Sequence, residues 1–271
     1  MHYVILRDDD TCAYTPHACL ERLYRPFLGR GLPVTLATIP EVRTDIRTAD
    51  GLLEGFITSG RGPQVPVAPI GLARELVGYI KSEPGYHVAQ HGCHHDILEF
   101  GDSNRGELAR RLDRGAGSLR EAGFARPSAF VAPYDRLSRA AFVEAAARFG
   151  VVSTGWFEAR RVPLRWGPAY ALKKLAHRSH WRAGGTYLLS HPGCLLSFHR
   201  PRSDMLPSVR KAVEGASLTV LVLHWWEFFR GGEPDDELID VLHEVADWLA
   251  SRRDVRVVSF SDVARGTVPL S

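Results

Sequence analysis

The sequence predicts an α/β fold built on a parallel sheet, and three observations carry that prediction. Short runs rich in valine, isoleucine or leucine recur along the 271 residues: "HYVILR", "LPVTLATIP", "YHVAQH", "SAFVAPY", "VVSTGW", "TYLLSH", "LTVLVLHWW" and "VRVVSFS". Their two faces are both apolar, as in strands that helices cover on either side. Helical periodicity fills most of the intervals between them, and an alternation repeated seven or eight times suits a barrel better than a small open sheet.

The intervals read in order. "ACLERLYRPFLGRG" and "SRAAFVEAAARFG" end in glycine, and "IGLARELVGYIKSEPG" stops at proline and glycine, all helix stop signals. "GELARRLDRGAGSLREAG" carries two internal glycines, which weigh against one straight helix. "PDDELIDVLHEVADWLASRR" opens on proline and acids and closes on arginines, matching the helix dipole. Residues 156–203 break the rhythm. They are rich in arginine and aromatics, hold His177, His180, His191 and His199, and read as an irregular excursion at the site mouth.

Composition gives no reason to divide the chain. With 45% hydrophobic and 24% charged residues, and 17 prolines and 25 glycines spread throughout, residues 1–271 read as one domain. A formal charge of +3 with scattered arginines does not indicate nucleic-acid binding. "MHYVILRDDD" is too short and too acidic for a signal-peptide core, and no stretch approaches the roughly 20 apolar residues of a membrane helix, so no membrane insertion and a cytoplasmic location are expected. Cys12, Cys19, Cys93 and Cys194 show no CxxC pairing and read as small buried hydrophobes.

In a barrel, chemistry sits at the carboxyl ends of the strands. Asp8, Asp9 and Asp10 crowd the end of the first strand, where like charges need a cation or hydrogen-bond donors to offset them. The bland reading is a helix cap or a solvated turn. "HVAQHGCHHD" ends another strand, and a helical turn over 91–95 would put His91 and His95 on one face; His94 could replace His95. Two histidines and one carboxylate leave an open position for water on zinc, so a divalent metal, zinc before others, is the expected cofactor. His224 closes the most apolar strand and is a candidate proton donor, or a core histidine. Trp225, Trp226 and Phe228 are candidates for a floor that stacks on a sugar ring, or for packing against the last helix. Pro133 and Tyr134 end a further strand.

Taken in order, "RDDD", "HGCHH", "APY" and "LVLH" resemble the motifs of the polysaccharide deacetylases, carbohydrate esterase family four. The likeness is greatest to divergent relatives whose first motifs read Arg-x-Asp-Asp and His-Gly-x-x-His. It spans residues 7 to 224. The resemblance implies a distorted (β/α)7 barrel and metal-dependent removal of an acetyl group from an N-acetylated, sometimes O-acetylated, carbohydrate. It further implies that His91, His95 and Asp10 hold the metal, that Asp9 is the general base, and that His224 protonates the departing amine. Pro133 and Tyr134 would line the groove and lend a backbone N–H to the oxyanion. Aligned instead on Phe-Asp-Asp, the base is Asp8 and the ligand Asp9. Two departures stand out. Val131 or Ala132 occupies the place of the usual arginine, so the catalytic aspartate must be oriented from elsewhere, with Arg7 and Arg136 as candidates. Gly92 replaces a small hydroxyl residue. A metal-dependent hydrolase of another amide or ester, and a catalytically silent carbohydrate-binding barrel, are the competing readings.

Overall fold

A computed structural model describes residues 1–101 and 104–270. The main sheet holds nine strands: β1 (His2–Thr11), β2 (Val34–Thr38), β3 (Tyr86–His91), β4 (Ala129–Val131), β5 (Val151–Thr154), β6 (His180–Ala183), β7 (Thr186–Ser190), β8 (Leu218–His224) and β9 (Val255–Val257). Their spatial order is β8-β1-β2-β3-β4-β5-β7-β6, with β9 beside β1. Every pairing in the row is parallel until β6, which runs antiparallel to β7. The seven parallel strands from β8 to β7 are the seven strands of the expected (β/α)7 barrel, curled but not closed by a ladder. Across the seam, the Ser179 hydroxyl donates to the Leu218 carbonyl.

The strands form because both of their faces are buried. Tyr3, Ile5, Ala37, Ala89, Val131, Val151, Leu189 and Val220 pack inside the curl, and a short helix, Phe260–Ala264, plugs its lower end with Phe260 and Val263. Val4, Leu6 and Leu36 face outward against an apolar layer supplied by helices such as α1 (His17–Leu28) and Asp236–Ser251. All eight strands read from the sequence are present. The segment with two internal glycines is one helix, Arg105–Glu121. A Cβ on Gly115 would lie 2.3 Å from the Gln90 amide nitrogen, so the missing side chain is what lets this helix lie against β3.

Two regions depart from expectation. Residues 156–203 are not irregular throughout: they contain the helix Gly167–Leu175 and strands β6 and β7, the latter a member of the parallel row. After β2, the chain makes a hairpin from Glu41–Arg43 and Val67–Pro69 that carries a short helix, Gly55–Thr58, over the cleft. No helix among the described residues is long and apolar enough to cross a membrane.

Candidate metal centre and its cleft

Strand alternation sorts the three aspartates. Tyr3 and Ile5 point inside the curl while Val4 and Leu6 point to the helices, so Arg7 and Asp9 continue inward and Asp8 outward. Asp8 accepts a 2.8 Å hydrogen bond from the Trp225 amide and has no exposure. Burial, and then the adjacent Asp9, raise its pKa well above the carboxylate range. Strict alternation would also send Asp10 outward. Its φ of 70° and a register shift against β2 between Asp8 and Thr11 return its carboxylate to the cleft. Asp is one of the few residues that visits this left-handed region readily.

His91 ends β3 with its backbone paired to Val131. The five residues that follow form no helical turn; the histidines converge through two left-handed residues, Gly92 at φ 63° and His95 at φ 69°. A Cβ on Gly92 would meet the Glu99 carboxylate at 2.5 Å and Pro133 at 2.6 Å, so glycine is required here. The buried Glu99 carboxylate holds the turn by accepting from the amides of Cys93, His94 and His95 at 3.1, 2.8 and 3.1 Å. His94 turns away, its Nδ1 donating to the Glu41 carbonyl at 2.8 Å.

As a result, Asp10 Oδ1 lies 3.3 Å from His91 Nε2 and 3.1 Å from His95 Nε2, and the two Nε2 atoms are 3.1 Å apart. These separations match the edge of a tetrahedron with bonds of about 2.0 Å, which is about 3.3 Å. Protonation fits as well. His91 Nδ1 donates to the Val131 carbonyl at 3.2 Å, so its Nε2 turns a lone pair toward the carboxylate. Asp10 Oδ1 is buried without a hydrogen bond, while Oδ2 is anchored by the Trp226 indole at 2.9 Å. Acceptors facing acceptors in a buried place are relieved by a cation. Burial opposes ionisation of Asp10, but His95 and His91 beside it bring its carboxyl well below the usual range. The donor set fits a divalent ion such as zinc.

The ion site floors a cavity of about 170 Å³ that also takes in Arg7, Asp9, Glu54, Tyr134, Asp135, His191, Cys194, His224 and Trp226. β1 and β8 pair Asp9 with His224, setting the two side by side at their strand ends. Arg7 is almost wholly buried; its Nε donates to Asp9 Oδ1 at 2.7 Å, Nη2 to Oδ2, and Nη1 to the Ser153 hydroxyl at 3.1 Å. The arginine that orients Asp9 therefore comes from two residues upstream of it, and Arg136 lies exposed. His224 Nδ1 bonds Glu227 Oε1 at 3.0 Å and lies 3.9 Å from Cys194 Sγ. Burial disfavours the His224 cation, but Cys194, Glu227 and the nearby Asp10 outweigh it and raise its pKa well above an ordinary imidazole.

The Pro133 stretch follows a sharp path. Tyr134 and Asp135 have φ of 50° and 55°, two successive strained residues that turn both side chains into the cleft. Tyr134 donates its hydroxyl to Glu54. Asp135 accepts from the Gly155 amide at 2.6 Å and from His191 Nε2 at 3.1 Å. Pro133 is buried behind this wall against Gly92 and does not line the cavity. Trp225, expected at the substrate, is also absent from the wall: it has no exposure, and its indole donates inward to the Asp10 carbonyl at 3.2 Å. The following residue, Trp226, lines the cavity instead, because the chain leaves β8 as a single helical turn, Trp225–Phe228, and not as extended strand.

Glu54, Asp135, Glu227 and the particular role of His191 were not legible in the sequence. Asp135 and Glu227 follow "APY" and "HWW" directly, a signal available in hindsight; Glu54 sits in a segment without a motif. Of the other excursion histidines, His180 is buried in β6, while His177 and His199 are exposed. Cys12 and Cys93 are buried as expected, whereas Cys194 faces the cleft.

No family model and no curated protein matches the sequence. Solved structures do. A Mycobacterium smegmatis protein assigned to the polysaccharide deacetylases is 15% identical, with a TM-score of 0.64 over 97% of this chain and 89% of that one. A Pseudomonas aeruginosa PAO1 protein with the same assignment is 10% identical, with a TM-score of 0.60 over 97% and 89%. The family 4 carbohydrate esterase of Streptomyces lividans is 13% identical, with a TM-score of 0.50 over 92% and 88%. Identities this low speak to architecture, and on architecture the chain has the polysaccharide deacetylase fold.

Proposed function

We propose that this protein is a metal-dependent hydrolase that removes an acetyl group from an N-acetylated sugar or glycan precursor. One observation carries the reading. Three metal-type donors, an arginine-held carboxylate and a glutamate-held imidazole line one cavity at the carboxyl ends of β1, β3 and β8, on a fold shared with carbohydrate esterases.

Asp10, His91 and His95 are the residues that would hold the ion, which when bound supplies Lewis acidity toward the acetyl carbonyl and a lowered pKa for water. Asp9 would take the proton of the attacking water as it adds to the carbonyl carbon. Arg7 fixes the direction of the Asp9 carboxylate through both oxygens, which keeps a lone pair available without conformational search. The Tyr134 backbone N–H is the oxyanion donor in this scheme. His224 passes a proton to the nitrogen as the C–N bond breaks, releasing acetate and a free amine, and Glu227 holds the ring through Nδ1 so that Nε2 is the atom offered to substrate.

The deciding test is Asp9→Asn, assayed by acetate release from N-acetylated amino-sugar oligomers together with metal analysis. The variant should keep its divalent ion and lose about 10³-fold or more in kcat, in the range of general-base removal. Turnover retained by Asp9→Asn, or a wild-type chain that binds no ion, removes the reading.

A further inference from the structure

A second group of donors lies behind the first. Cys93 and His94 fill the two positions between Gly92 and His95 and face Glu41, the first residue of the hairpin that leaves β2. Cys93 has no exposure and Glu41 only 8%. A carboxylate oxygen of Glu41, Cys93 Sγ and an imidazole nitrogen of His94 all lie within 4.8 Å of one another, and Cys93 Sγ and His94 Nε2 are 3.8 Å apart. Bonds of about 2.3 Å to sulfur and about 2.0 Å to nitrogen put these two atoms about 3.5 Å apart in a tetrahedral zinc site, so a shift of a few tenths of an ångström would bring this pair to ligand spacing, with the Glu41 carboxylate drawn in as the third donor.

The surroundings favour binding. His94 Nδ1 donates to the Glu41 carbonyl at 2.8 Å, which leaves Nε2 as the unprotonated nitrogen and turns its lone pair toward the thiol. A backbone carbonyl on the far nitrogen is the usual support of a metal-bound histidine. Arg114 Nε and Nη2 both bond Glu41 Oε2, at 2.8 and 2.7 Å. That grip fixes the carboxylate and leaves Oε1 outside it. The Glu99 cradle on the amides of Cys93 and His94 sets the backbone before any ion arrives.

We propose that Glu41, Cys93 and His94 form a second divalent-cation site, suited to zinc or an ion of similar softness, with water completing the tetrahedron. On binding, Cys93 gives up its thiol proton and the ion takes the sulfur lone pair; no electron changes hands. The ion would tie the Gly92–His95 turn to the hairpin and so stiffen the segment that carries His91 and His95. This site differs from the cleft in its chemistry: a thiolate here, none at Asp10, His91 and His95.

That difference supplies the test. The full chain loaded with Co²⁺ should bind two equivalents and show a thiolate-to-cobalt charge-transfer band in the near ultraviolet. Cys93→Ser should lose that band and one equivalent. His94→Gln, which leaves the buried thiol in place, should also lose one equivalent. His95→Gln should lose the other equivalent and keep the band, so failure at the cleft and failure here are read separately. A wild-type chain with a single equivalent and no such band overturns the proposal, as does a band that survives Cys93→Ser.

Discussion

Two carboxylate-backed histidines face each other across one cleft, and they differ in what their rings have left to give. His224, at the end of β8, makes both of its hydrogen bonds among the described residues, to Glu227 and Cys194, through Nδ1. His191, just past β7, spends Nε2 on Asp135 and accepts the Gly193 amide at Nδ1, at 3.0 Å. Among the described residues, one ring leaves Nε2 without a hydrogen bond; the other is used up in holding a loop. The comparison teaches that a histidine–carboxylate pair in a cleft is not by itself a proton-transfer device. Its second nitrogen decides.

The sharpest way to break the comparison is to remove each ring. His224→Ala should lower kcat for acetyl release by about 10²- to 10⁴-fold, the range for a general acid. His191→Ala should cost no more than about tenfold, through a looser Asp135. Equal losses in the two variants would erase the distinction drawn here.

A smaller effect separates orientation from chemistry at His224. With its pKa raised by Glu227 and Cys194, the proton-donating form persists to higher pH than for an ordinary imidazole, and activity falls as pH rises through that raised value. Glu227→Gln should move the alkaline limb of the kcat profile to lower pH and reduce kcat by about tenfold; an unmoved limb would assign that limb to another group.

On the opposite side, burial works to raise the Asp135 carboxyl, but the His191 bond and the nearby Arg7 bring it down to about 2. A depressed carboxylate contributes stability above its unfolded value of about 3.9 that is lost as pH falls toward the folded one. Asp135→Asn should therefore cost on the order of 1–2 kcal/mol near neutrality in denaturant unfolding, with the gap from wild type narrowing below about pH 4. A gap constant with pH would place the cost in packing instead.

The smallest effect is expected at Asp8. Turned to the helix layer and bonded to the Trp225 amide, it touches neither the ion donors nor the cavity. Asp8→Asn should leave metal content unchanged and kcat within about threefold; loss of turnover with the metal retained would restore the alternative in which Asp8 is the base and Asp9 the ligand.

What could be read in the chain alone and what could not follow from the range of the forces involved. Strand identity and order rest on local hydrophobic pattern, so β1 to β5, β7, β8 and β9 were legible, as was the gathering of polar residues at strand ends. His91, His95 and the aspartates were visible because their neighbours in sequence are also their neighbours in space. The choice of Asp9 and Asp10 over Asp8 came from the resemblance and not from the strand pattern. A period of two predicts opposite faces for Asp9 and Asp10, and only a left-handed residue and a register shift against β2 put both into the cleft. For a similar reason, one helical turn after β8, Trp226 lines the cavity and Trp225 is buried behind it. Glu54, Asp135 and His191 reach the cavity from separate segments, and no local pattern encodes that meeting. Sequence set which elements form; backbone handedness at a few turns, enforced by packing from distant segments, set which side chains face the cleft.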